Sequence, residues 1–301
     1  MITHCVYHKA DLDGKCSAAI VLKLYPDVTL HGIDYGEPFP WEKFKKHDKV
    51  FMVDFSLPWD QMLRLHDHVN LVWIDHHESS LDACAAHQAA NTDFHITGKR
   101  KIGIGACQLV WKYLFPAEPT PRAVQLLAQF DVWEHSDPDV LPFQFGMLLE
   151  DIEPRSRVWQ RLLHSAKGGF DFAGAEMEGL LSRGEGAHTY HKTDNAKKAE
   201  SLWFPTTVIA VGGGVEIPVM AINAGPHANM MFDSIWDPEK FHAKCAFYWN
   251  PGIGKWSVRL YTTRDDVNCA KISSYFGGGG HAKAAGFECT RLPFQLKRRD
   301  A

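Results

Sequence analysis

Asn70-Leu71-Val72-Trp73-Ile74-Asp75-His76-His77 decides how the chain is built. The apolar run from Asn70 to Ile74 reads as a short buried strand, and three ionisable side chains follow it without a spacer. In an open parallel sheet the loops beyond the strand ends point side chains into one crevice, where ligands bind. Carboxylate oxygen and imidazole nitrogen together at such a tip suit manganese, iron or zinc. Alone, the tripeptide reads better as a polar loop with two solvated histidines. The neighbouring strands reverse that reading.

Upstream, Val50 to Val53 is a strand ending in Asp54-Phe55-Ser56, and Pro58 opens a helix that runs through His66. Ile2 to His8 is a first strand, continued by His8-x-x-Asp11-x-Asp13-Gly14. A helix from Ser17 to Tyr25 follows and stops at Pro26. Val28 to Ile33 is a further strand, and Trp41 to Lys46 is at most a short helix. Strands alternating with helical patterns imply βαβ units and a mostly parallel sheet.

From Gly103 the pattern is helical: Ala106 to Leu114, then Arg122 to Phe130, which leads into Asp131-Val132-Trp133. Ile152 to about Ala199 is amphipathic and ends in a solvated connecting helix whose histidines, His188 and His191, read as surface residues. After Pro205 the texture is β-rich, with strands at Thr206 to Val211, Ile217 to Ile222, Lys244 to Trp249 and Trp256 to Tyr261. Gly212-Gly213-Gly214 and Pro251-Gly252 are turns. A helix from Val267 to Tyr275 feeds Gly277-Gly278-Gly279-Gly280-His281, and Lys297 to Ala301 should fray. The expected fold is therefore α/β. An N-terminal parallel-sheet domain (1–184) is joined by a helical linker (185–204) to a smaller C-terminal α/β domain with a mixed sheet (205–290), and a tail follows (291–301).

The chain has 301 residues, 45% of them hydrophobic and 23% charged, ordinary for a soluble globular protein with room for two domains. A net charge of -4 argues against a broad face for duplex nucleic acid, which needs excess Lys and Arg. Seven scattered cysteines without a C-x-x-C pair read as reduced thiols. The N-terminus opens a strand at once, without a basic-then-apolar leader, and no run is long enough for a membrane helix. A cytoplasmic protein is expected.

Three strand ends carry the same cargo: His8, Asp11 and Asp13; Asp54; and Asp75, His76 and His77. Carboxylates packed together raise one another's pKa unless a counter-charge is present. Two divalent cations bridged by a carboxylate, roughly 3.5–4 Å apart, would remove that cost and form a clamp for phosphoryl hydrolysis. Asp11 and Asp13 could instead cap the helix that follows them. The glycine run could be a flexible turn, but consecutive bare amides also form an anion-binding nest, with His281 as an added donor. Arg259 is a bidentate phosphate partner in one reading and a surface salt bridge in the other.

These motifs, in this order, resemble the DHH phosphoesterase family with its C-terminal DHH-associated domain, over nearly the whole chain. The resemblance rests on His8-x-x-Asp11-x-Asp13-Gly14, Asp54, Asp75-His76-His77 and Asp131 in the first domain. In the second it rests on Ser257-Val258-Arg259 and Gly278-Gly279-Gly280-His281-x-x-Ala284-Ala285-Gly286. His8 and Asp11 are one residue closer than in many small-substrate members. The resemblance implies two manganese ions, with cobalt or magnesium as substitutes. His8, Asp11 and Asp54 would hold one ion, and Asp13, Asp54, His76 and Asp131 the other. Asp75 would orient a ligand, His77 would stand by the scissile phosphate, and Arg259, Gly278, Gly279, Gly280 and His281 would grip a nucleotide phosphate.

The implied activity is that of an exonuclease or oligoribonuclease cutting short single-stranded oligonucleotides (nanoRNA) or related small nucleotides to monophosphates. Cyclic-dinucleotide and phosphoadenosine-phosphate hydrolysis are the alternatives within the family. A catalytically silent nucleotide-binding regulator is the alternative outside enzymes. A RecJ-like nuclease would need an additional oligonucleotide-binding domain, and a family II pyrophosphatase would lack the glycine-histidine signature. No membrane partner is expected, and a homodimer is left open.

Overall fold

The computed structural model describes residues 2–163, 172–210, 215–225 and 228–296. The turn expected at Gly212 to Gly214 and the tail from Lys297 to Ala301 lie outside the described residues. Two units are resolved, Met1–His188 and Thr189–Ala301, and the boundary falls inside the 31-residue helix Phe172–Leu202.

The first unit begins β1 (Thr3–His8), α1 (Leu12–Leu24), β2 (Thr29–Ile33), β3 (Lys49–Val53), α2 (Trp59–His68), β4 (Asn70–Ile74) and α3 (Glu78–Ala90). All four strands are parallel, in the order β2-β1-β3-β4. Each carries apolar side chains to both faces, as a parallel sheet covered by helices on both sides requires. Phe51, Val53, Val72 and Ile74 enter one core, while Val50, Met52, Leu71 and Trp73 alternate into the other. The first core is roofed by α1 and by α4 (Ala106–Leu114), α5 (Arg122–Asp131), α6 (Val140–Met147) and α7 (Arg157–Leu162). The second is closed by α2 and by Cys84 of α3. Trp73 is completely buried there, a burial worth about 3 kcal/mol for so large a ring.

The register levels the strand ends. Tyr7 lies beside Val53, Val53 beside Ile74, and His8 beside Ile33. Whatever follows each strand therefore emerges along one edge. Gly14 allows α1 to start tight against that edge, since a Cβ there would sit 2.0 Å from the His8 carbonyl oxygen.

The second unit continues from α8 (Phe172–Leu202) through β5 (Phe204–Ala210), β6 (Val215–Asn223), β7 (Ala243–Asn250), β8 (Lys255–Tyr261), α9 (Cys269–Ser274), β9 (Gly279–Gly280) and β10 (Ala284–Cys289). Its six strands form one sheet in the order β5-β6-β7-β8-β10-β9. Only β6 and β7 pair in parallel, so the sheet is mixed. The α/β fold with a parallel and a mixed sheet is as the sequence implied. Among the described residues no helix is long and apolar enough to cross a membrane. All seven cysteines are free thiols, and six are buried.

Candidate active site

His8 closes β1, and its Nδ1 lies 2.8 Å from Asp11 Oδ2 while its Nε2 lies 3.1 Å from Asp34 Oδ1. Asp11 does cap α1, accepting a 2.9 Å hydrogen bond from the Gly14 amide through Oδ1, and its other oxygen still faces His8. Asp13 has a different duty. Its oxygens accept from the amides of Ala106 (2.6 Å) and Cys107 (2.7 Å), the first residues of α4, whose own N-cap, Gly105, has no side chain to offer. A carboxylate has about four lone-pair positions, so Asp13 keeps capacity on the side that faces His76, 3.7 Å from its Oδ2.

Asp54 follows β3 directly and has φ 53, a left-handed backbone that Asp and Asn tolerate better than most residues. Its two oxygens serve different neighbours: Oδ1 is 3.1 Å from His76 Nε2, and Oδ2 is 3.9 Å from His8 Nδ1. Asp131 arrives on the last turn of α5, with Oδ2 3.2 Å from His76 Nε2. Asp75 is fully buried and organises its neighbours. Oδ1 accepts from the His76 and His77 amides (2.7 and 3.3 Å) and pairs with His77 Nδ1 at 2.7 Å, while Oδ2 accepts from Trp73 Nε1 at 3.2 Å.

Three combinations of these groups have donor atoms all within 4.8 Å of one another: His8, Asp11 and Asp54; Asp13, His76 and Asp131; and Asp54, Asp75, His76 and His77. Asp54 belongs to the first and the third of these, and meets the second through His76, 3.1 Å away.

The electrostatics show what such a cluster is suited to hold. Burial and the nearby Asp131 push Asp13 up to about 6. Burial and the charge of Asp11 lift Asp131 to about 7, and burial with Asp11, Asp13 and Asp131 lifts Asp54 well above the carboxylate range. Burial opposes charge on His8, yet Asp11 and Asp34 raise it to about 10. Burial likewise disfavours ionised Asp75, but His77 and His76 hold it down at about 2. His76 is lowered by burial and by His77. Buried Asp54 Oδ2 and Asp131 Oδ2 accept no hydrogen bond. Carboxyls that resist ionisation, beside oxygens that lack donors, fit divalent cations bound by oxygen and imidazole.

Two residues of this edge escaped the sequence reading. Asp34 and Tyr35 follow β2, the one strand whose tip was assigned no chemistry. The Tyr35 ring lies 5.2 Å from His8, 4.9 Å from Phe55 and 5.9 Å from His77. The strand-tip rule, applied to all four strands, would have found both.

In the second unit Arg259 lies on β8, about one-third exposed, with Nη1 3.3 Å from Glu288 Oε1. That oxygen also accepts from Ser257 Oγ at 2.7 Å. The glycine run corrects one expectation. The amides of Gly277, Gly278 and His281 donate to the carbonyls of Ser274, Ser273 and Ala284, while Gly279 and Gly280 pair with β10. A nest of free amides does not form at Gly277, Gly278 or His281. Close packing is why Gly278 is glycine, since a Cβ there would sit 2.1 Å from the Gly286 carbonyl oxygen.

No protein-family model and no curated protein matches the sequence. Among solved structures, the DHH domain of a member of a family of ribosomal proteins matches over 96% of this chain and 83% of its own, with 12% identity and a TM-score of 0.50. The fold is that of a DHH-domain protein. The chain is also similar to a pGpG-specific phosphodiesterase from Vibrio cholerae (11% identity, 96% and 94% covered, TM-score 0.44). An exopolyphosphatase-related protein from Bacteroides fragilis is similar as well (12% identity, 97% and 87% covered, TM-score 0.42).

Proposed function

We propose that the protein is a divalent-metal-dependent phosphoesterase that hydrolyses short oligonucleotides or small nucleotides to monophosphates. The observation that carries this reading is Asp54, whose two oxygens face His8 and His76 separately at 3.9 and 3.1 Å. A carboxylate facing two imidazoles in this way is suited to bridge two ion sites. In this reading His8, Asp11 and Asp54 hold one cation, and Asp13, Asp54, His76 and Asp131 hold the other. Manganese suits the mixed oxygen and imidazole donors. When bound, such a pair of cations would supply an activated water and offset charge developing at phosphorus.

The remaining roles belong to the protein. Asp75 fixes the ring of His77 through the 2.7 Å contact at Nδ1, and in this reading His77 donates to a phosphate oxygen. In the second unit Arg259 and His281 would be the side chains that contact a phosphate, while Gly278 and Gly280 serve the close packing against β10. Arg259 would exchange its ion pair with Glu288 for that phosphate, a bidentate partner of higher charge.

The test is a product profile with manganese over di- to pentanucleotides of RNA and DNA, phosphoadenosine phosphate and cyclic dinucleotides. Release of monophosphates from the short linear substrates is expected, and His77→Asn should slow it about 10²–10⁴-fold while manganese binding persists. Ligands that bind yet leave intact under all these conditions would replace the enzyme by a nucleotide-binding regulator.

A further inference from the structure

We propose that Trp133 is a stacking wall for a planar aromatic group, the base of a nucleotide, at the Asp131 end of the site. This rests on the phosphoesterase reading and deepens it. Helix α5 ends in a Schellman arrangement: the Glu134 amide donates to the Gln129 carbonyl (2.9 Å) and the Trp133 amide to the Phe130 carbonyl (3.1 Å). That motif requires a left-handed residue at the position Trp133 fills, and its φ is 61. Glycine is the usual occupant, because a Cβ is penalised there. The other two left-handed non-glycine residues among those described are His47 and Asp54, types enriched in this region of backbone space; a bulky aromatic is an outlier.

Burial does not account for the choice, since Trp133 is 42% exposed. Among the described residues its ring contacts are with His135 (centroids 5.1 Å apart) and Phe130 (6.3 Å), which themselves stack at 5.4 Å. Two residues of chain span at most about 7 Å, so the Trp133 backbone stays close to that of Asp131, a carboxylate of the cluster. An unfavourable backbone that presents a backed, partly exposed indole two residues from a carboxylate of the cluster is a device for holding a flat ligand. The chemistry it recognises is an aromatic base, and a phosphate or sugar alone gains nothing from it.

The experiment measures binding of adenosine 5′-monophosphate and of ribose 5-phosphate, with manganese present, by titration calorimetry on the full chain. Wild type, Trp133→Gly and Trp133→Phe are compared, together with their melting midpoints. For Trp133→Gly, affinity for the nucleotide should fall about five-fold to about a hundred-fold and that for the sugar phosphate should not change. Trp133→Phe should retain most of the preference for the base. The midpoint of Trp133→Gly should be equal or higher, because glycine adopts this φ freely. Unchanged nucleotide binding in the glycine variant, equal loss of both ligands, or a lowered midpoint would each overturn the stacking role while leaving the phosphoesterase reading intact. A wild-type protein that binds neither probe would instead sink that reading, and the stacking role with it.

Discussion

Replacing Asp54 by Asn exchanges one oxygen for an amide nitrogen and removes one charge from the spot where the two proposed ligand sets meet. Asn is the right substitution because the backbone there has φ 53, which Asn tolerates and Ala resists; an alanine variant would confound strain with chemistry. At an effective dielectric of about 20, unit charges about 4 Å apart interact by about 4 kcal/mol. Loss of the Asp54 charge should therefore weaken manganese binding on the order of a thousand-fold at each ion. Stability without metal should move the other way. Burial and the neighbouring carboxylates raise the Asp54 pKa in the fold, so what it contributes is present at low pH and lost as pH rises through the folded value. Asn does not titrate and escapes that loss. In chelator at about pH 8 the variant should melt at or above wild type, and added manganese should raise its midpoint far less. Calorimetric manganese titration paired with thermal melts reads both quantities. Wild-type affinity for two ions, or a chelated variant that melts well below the chelated wild type, would refute the reasoning.

Three further outcomes are expected. Asp13→Ala leaves the buried amides of Ala106 and Cys107 without their acceptor, and urea unfolding in chelator at about pH 6 should show a loss of about 3 kcal/mol. Gly278→Ala drives a Cβ into the Gly286 carbonyl; we expect a loss of more than about 3 kcal/mol and faster amide exchange along β8 and β10. His31, packed against His4 with ring nitrogens 3.0 Å apart, is lowered from 6.5 to about 4 by burial and by His4 and Lys43. Its stabilising contribution is full above about pH 6.5 and falls away as pH drops towards 4. Between about pH 7 and about pH 5 that amounts to about 2 kcal/mol, which urea midpoints of His31→Leu should no longer lose.

The strand-tip pattern was legible because parallel strands of equal length put sequence-distant residues on one edge, and the level register bears this out for His8, Asp54 and Asp75. Helix α4 was read to the residue, since its apolar spacing is strong. Helix α3 escaped notice. It is rich in Ala, and Cys84 is its one buried residue, so little apolar periodicity marks it. Helix α6 was hidden by Pro142 and Gly146, which read as breakers although the helix runs through them. For Asp11 the capping and site readings proved compatible, as one oxygen serves each. Asp13 caps a helix that begins more than ninety residues later, a long-range pairing that no local motif announces. Strand β10 was missed because its Ala-Ala-Gly start resembles a loop until β8 is there to pair with it.

The double attachment of Asp13 changes what its presence can testify to. A descendant that lacked the proposed activity would still need an acceptor for the first two amides of α4, so drift would tend to preserve that aspartate in an inert protein. Asp131 has a buried Oδ2 that takes no hydrogen bond from the chain, so nothing in the scaffold defends that oxygen once the chemistry is gone. In a collection of such chains, the residue to inspect for lost activity is the one at the end of α5.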